Sequence, residues 1–264
     1  MADLAGVLAD LADEGDTLDE LLSTRPAEDW SRLTPAPGWT VAQQVGHLAW
    51  TDDIARLAAA EPDAFQLELS KVASAWEGYV DRAAAERAAG PPEELLASWR
   101  ASRRALADAL RRVPESVKLP WFGPPMSPTS MATARLMETW AHSQDVFDAL
   151  GVEHFGTDRL RHIAHIGVRT RDFAFLVNDR TLPTEPFRVE LVGPFGDLWT
   201  WGPHDAAQQV AGPALDFCLL VTQRRNRADL AVVAVGADAD AWLDIAQAFA
   251  GPPGEGRAPS GDAT

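Results

Sequence analysis

Glu138-Thr139-Trp140-Ala141-His142-Ser143-Gln144-Asp145 is the stretch from which the fold is best read. Glu138 and His142 are four residues apart, and Asp145 lies three beyond His142. On an α-helix these spacings set all three on one face, about a turn apart. Their neighbours Leu136, Met137, Trp140, Val146 and Phe147 are apolar. The segment therefore predicts a largely apolar helix over about Thr129–Leu150, stopped by Gly151 and carrying one polar stripe. Charged groups inside a core need compensation, and a cation supplies it. A carboxylate and an imidazole on successive turns can chelate one divalent ion, because the helix already holds them. The same spacing also describes a solvated face or a simple ion pair, and spacing alone does not choose.

Helical periodicity continues upstream. Leu4, Val7, Leu8, Leu11, Leu18, Leu21 and Leu22 mark one apolar face over residues 3–23. Thr34-Pro35-Ala36-Pro37-Gly38 breaks the pattern. Thr40 then reads as an N-cap, with Gln43 completing a capping box, and predicts a second helix over Val41–Ala60. A third is expected over Pro62–Ala89, stopped by Gly90-Pro91-Pro92, and a fourth from Glu93 to Val113. A loop rich in Pro, Trp and Gly, 120–128, leads into the Glu138 helix. Long helices so connected predict a helical bundle.

The period changes after residue 152. A helix is expected over Asp158–Asn178. Phe187–Val192 alternates as a half-buried strand does, Gly193–Asp197 is a turn, and Leu198–Trp201 is the return strand. Pro203–Val210 is read as loop or short helix, Ala214–Gln223 as helix, Leu230–Val235 as a third strand and Ala237–Ala250 as a last helix. The fold class is thus α+β: an N-terminal four-helix-type bundle over 1–152, a smaller α+β domain over 153–251, and a Pro- and Gly-rich tail over 252–264 expected to be disordered.

The 264-residue chain carries 23 basic and 39 acidic side chains, a net charge of −16. That balance gives no footprint for nucleic acid and disfavours an anionic membrane surface. The single cysteine, Cys218, forms no intrachain disulfide and fits a reducing cytoplasm. The acidic start MADLAGVLADLADEGD is unlike a signal peptide, and no apolar run approaches the roughly 20 residues of a membrane span. Cytoplasmic localisation is expected, as a monomer or homodimer. Cys218 sits in an apolar helix and reads as packing. Among ten tryptophans and ten phenylalanines, Trp121, Phe122, Trp199 and Trp201 lie near loops, as core or as pocket walls.

His47, in Gly46-His47-Leu48-Ala49-Trp50, is a third candidate ligand on the second helix, where a lone histidine is as readily a structural group. His162 and His165 form a weaker i,i+3 pair. His154 and His204 read as surface.

Residues 38–48, Gly-Trp-Thr-Val-Ala-Gln-Gln-Val-Gly-His-Leu, resemble the second-helix signature of DinB-like four-helix-bundle metalloproteins. More closely, they resemble the actinobacterial branch containing mycothiol-dependent maleylpyruvate isomerase. Residues 138–146 are similar to that branch's second metal motif. Leu191–Asp197, Trp199–Pro203 and Gly212–Cys218 resemble its C-terminal domain. The resemblance implies that His47, Glu138 and His142 bind a metal. Two imidazoles and one carboxylate suit zinc in an open site. Asp145 then reads as a group orienting a ligand. The resemblance further implies mycothiol, a small-molecule thiol, as cofactor and a small electrophile as substrate, in isomerisation or thiol transfer. Arg224 and Arg225, in the densest basic run, are candidates for a substrate carboxylate, or simply cations at a helix end. The competing readings are a non-catalytic metal- and ligand-binding protein and a metal-dependent hydrolase using bound water.

Overall fold

The computed structural model describes residues 3–74, 78–254 and 256–262. It divides into two compact units, Met1–His154 and Phe155–Thr264. The first is helical. Its long helices are α1 (Leu4–Ser23), α3 (Val41–Ala60), α6 (Pro92–Arg111) and α7 (Pro128–Leu150), with short α2 (Ala27–Trp30), α4 (Pro62–Ser74) and α5 (Tyr79–Arg87) between them. α1 packs on α6 and α7, and α3 packs on both of the same helices, which is a four-helix bundle.

The caps explain the boundaries. Thr40 and Gln43 exchange side-chain and backbone hydrogen bonds as a capping box at the start of α3, a device that contributes about 1 kcal/mol. Ser127 caps α7, and Gly151, at φ 65°, ends it in the left-handed conformation. The helix expected over Pro62–Ala89 is two helices: Gly78 sits at φ 67° before α5, and residues 75–77 lie outside the described residues.

α3 is buried on nearly all sides because α4, α5, α6 and α7 all lie against it. Val41, Val45 and Leu48 join Leu18, Leu22, Trp99, Val146 and Phe147 in the main core. Gly46 has a packing reason. A Cβ there would come within 2.5 Å of the Ala84 carbonyl oxygen on α5, so only glycine lets the two backbones approach. His47, the next residue, is placed by that contact.

A buried ion pair joins α3 to α7. Arg135 Nε donates to Asp52 Oδ1 at 3.0 Å, with side-chain exposures of 1% and 3%. A second polar contact joins α1 to the chain beyond α7. His154 Nε2 lies 3.2 Å from Glu14 Oε1, and its ring stacks on Phe147. His154 is therefore buried, which corrects the surface reading. Gly151 turns the chain back, and a carboxylate on α1 receives the imidazole.

The second unit contains α8 (Leu160–Arg169), α9 (Arg171–Val177), α10 (Ala214–Val221), α11 (Ala237–Leu243) and a sheet of β1 (Phe187–Val192), β2 (Leu198–Trp201), β3 (Gln208–Pro213) and β4 (Val233–Val235). The strand order is β2-β1-β3-β4. β1 pairs antiparallel with β2 and parallel with β3, and β3 pairs antiparallel with β4. The architecture is α+β with a helical N-terminal unit.

Four readings differ. The helix expected over 158–178 is broken at Thr170, whose hydroxyl donates to the carbonyls of Ile166, Gly167 and Gln247. Residues 208–213 form a central strand. The last helix ends at Leu243, after which the Gln247 amide donates to the carbonyls of Phe249 and Gly251. The tail is held where it is described: Asn226 Nδ2 donates to the Arg257 carbonyl, and Ser260 donates to Asp229. No helix among the described residues is long and apolar enough to cross a membrane.

Candidate metal centre

α3 and α7 bring the polar stripe and the lone histidine together. His47 Nε2 lies 3.4 Å from Glu138 Oε2, and His142 Nε2 lies 3.3 Å from the same oxygen. The three donor atoms all fall within 4.8 Å of one another. With metal–donor bonds of about 2.0–2.1 Å, the edge of a tetrahedral donor set is about 3.3 Å. The two nitrogen–oxygen separations match that edge, so the residues fit a small divalent ion. Access is retained: the side chains of His47, His142 and Glu138 are 10%, 13% and 24% exposed.

Burial pushes the Glu138 carboxyl up, but hydrogen bonds from His142 and His47, aided by the Arg135 charge, hold it well below the usual carboxylate range. The folded protein thus keeps Glu138 ionised, as a ligand must be. A carboxyl so depressed stabilises the fold above its ordinary range, and that contribution is lost as pH falls. For Asp52 the opposite holds: burial pushes its carboxyl up against the pull of Arg135.

Gln44 is the residue that reading the sequence missed. It is fully buried on α3, and its Oε1 lies 2.5 Å from His142 Nδ1. Its Nε2 donates to Thr34 Oγ1, which donates to the Trp39 carbonyl. An amide oxygen accepts, so His142 Nδ1 donates to Gln44, and Nε2 is left as the ring atom that faces Glu138 and would serve as donor to a metal. Gln44 stands three residues before His47, on the same helix face, which was the available signal. His47 Nδ1 is buried with no hydrogen-bond partner. Replacing Gln44 with leucine is expected to weaken metal affinity about 10–100-fold, and Gln44→Glu to restore most of it; competition against a chelator measures both.

Asp145 is fully buried on α7 but lies outside the cluster of three. Arg135, one turn before Glu138 on α7, is held by Asp52. Arg224 and Arg225 belong to the second unit, just past the end of α10. Arg224 Nη1 donates to the Thr222 carbonyl and Arg225 Nη1 to that of Arg224. Cys218 is buried, its thiol donates to the Leu160 carbonyl, and burial pushes its pKa up, which leaves it inert. His165 accepts from Trp201 Nε1 at 3.1 Å, and His204 is exposed.

Aromatic rings surround the donors. Trp39 lies 5.4 Å from the His47 ring and 5.9 Å from the His142 ring. Trp50 lies 5.8 Å from His47, and also contacts Tyr79 and Phe122.

Comparison with known proteins bears on both units. A family model described as mycothiol maleylpyruvate isomerase N-terminal domain matches residues 11–147. One described as wyosine base formation matches residues 183–235. Two uncharacterized proteins of Mycobacterium tuberculosis, from strains CDC 1551 and ATCC 25618, are each 59% identical over 257 residues, covering 97% of this chain and 100% of theirs. The crystal structures of mycothiol-dependent maleylpyruvate isomerase and of a histidine-to-alanine mutant share the fold. Each has a TM-score of 0.57 and 16% identity, over 88% of this chain and 93% of the other.

Proposed function

Because the chain belongs to the family of the mycothiol maleylpyruvate isomerase N-terminal domain, we propose that it is a divalent-metal enzyme, with zinc as its metal, working on a low-molecular-weight thiol. The thiol is mycothiol or a close analogue, activated for isomerisation of, or transfer to, a small electrophile. The observation that carries this reading is the convergence of His47, His142 and Glu138, with both imidazole Nε2 atoms 3.3–3.4 Å from Glu138 Oε2 and all three donor atoms within 4.8 Å of one another.

Three protein donors leave room for one more, the arrangement of catalytic rather than structural zinc. Bound there, zinc would lower the pKa of a coordinated thiol and polarise a carbonyl. The protein's own part is to hold the donors ready. Gln44 fixes the tautomer of His142, the Arg135 charge favours the Glu138 carboxylate, and Trp39 shields both imidazoles from bulk water. A reducing cytoplasm and an inert Cys218 suit such chemistry, since no protein thiol competes with the small one.

The test is optical. Protein loaded with Co²⁺ is titrated with mycothiol, and the visible spectrum is expected to gain intensity and a thiolate charge-transfer band. A cobalt site blind to the thiol would sink the proposal in favour of non-catalytic metal and ligand binding. Thiol-independent hydrolysis of activated esters would favour a water-using hydrolase.

A further inference from the structure

We infer that this site takes a planar, apolar, uncharged acceptor rather than a small dicarboxylate. The inference rests on the thiol-enzyme reading and names the substrate class of the same site.

Two observations in the first unit carry it. The first is the ring set. Trp39 touches both imidazoles. Trp50 touches His47 and passes the contact on to Tyr79 and Phe122 at 5.9 and 6.4 Å. All four rings are half-buried rather than sealed in the core, so each keeps part of its surface accessible. Flat aromatic faces favour flat apolar partners in stacked or edge-on arrangements. Trp39 is also fixed, because its Nε1 donates to Asp81 at 2.9 Å. A ring held in this way loses little freedom when a ligand stacks on it.

The second observation is charge. Arg135, one turn before Glu138 on α7, is buried in its pair with Asp52. The polar ends of the rings meet carboxylates: Asp81 at Trp39, and Glu68 at the Tyr79 hydroxyl. Lys71 is paired with that same Glu68. A dianion entering past Trp39 would meet the Asp81 carboxylate, in a chain of net charge −16. Carboxylate recognition calls for a forked cation facing the ligand. An uncharged conjugated acceptor meets no such conflict and gains from the rings.

Calorimetry on the full-length zinc-loaded chain, with no thiol present, tests this. Cinnamamide serves as the planar uncharged probe and maleate as the small dicarboxylate. Cinnamamide is expected to bind, and maleate to give no heat at the same concentrations. Trp50→Ala is expected to weaken cinnamamide at least tenfold with zinc stoichiometry unchanged, and Trp50→Phe to keep most of the affinity. If Trp50→Ala loses zinc or its fold, Phe122→Ala, at the far edge of the same ring set, supplies the reading. Maleate binding more tightly than cinnamamide would overturn the inference. So would wild-type affinity in the alanine variants, which would make the rings packing for Phe65 and Ile54 alone. With no thiol in the cell, failure here leaves the cobalt–thiol result standing, and the reverse also holds.

Discussion

His142→Ala is expected to abolish stoichiometric metal binding, from about one divalent ion per chain to a trace, by elemental mass spectrometry of tag-free protein. The loss should exceed the ~10–100-fold that follows from removing an orienting partner such as Gln44, because a donor itself is gone. His142 also brings Glu138 into its low-pKa state, so the variant loses a ligand and weakens another. Thiol-dependent turnover should fall with the metal. The fold should not: the apolar core of α3 and α7 lies in residues such as Val45, Leu48, Val146 and Phe147, none of which donates to the ion. A small change in melting temperature beside lost metal marks an open, catalytic site. A collapse of stability would mark a structural ion instead.

Asp52→Ala should show the opposite pattern, a large loss of stability. It strands the Arg135 guanidinium in a core where it is 1% exposed and where one of its terminal nitrogens already lacks a partner. Breaking a buried pair by removing one member costs about 3–5 kcal/mol. For a chain of this size that is a fall in melting temperature of about 6–20 °C. Replacing both members, Asp52→Leu with Arg135→Met, should recover most of the stability, since the uncompensated charge is then gone. Metal affinity separates the two roles of Arg135. The double variant should fold well yet bind metal more weakly, because Glu138 has lost the positive charge that favours its ionised form.

The parts of the fold written locally were legible. Thr40 and Gln43 announce the start of α3, Gly151 announces the end of α7, and the alternation of Phe187–Val192 announces β1. The central strand β3 was not legible. Gln-Gln-Val-Ala-Gly-Pro has one large apolar residue, Val210, and is extended because β1 and β4 supply hydrogen bonds on both sides. Those partners lie far off in the chain, and no local pattern encodes them. The site divides in the same way. The i,i+4 spacing offered Glu138 and His142 as candidates, whereas the choice of His47 rested on family resemblance. Gln44 and Asp52 went unseen because a polar residue on a buried helix gains its meaning from the helix opposite.

The division of the chain also bears on its biosynthesis. Every donor and every partner described for it, from Thr34 to His142, belongs to the unit that ends at His154. Residues 155–264 take roughly 5–20 s to add at ordinary elongation rates, and domains fold as units from the N-terminus. The proposed metal pocket can therefore close, and take up an ion, while the rest of the polypeptide is still on the ribosome.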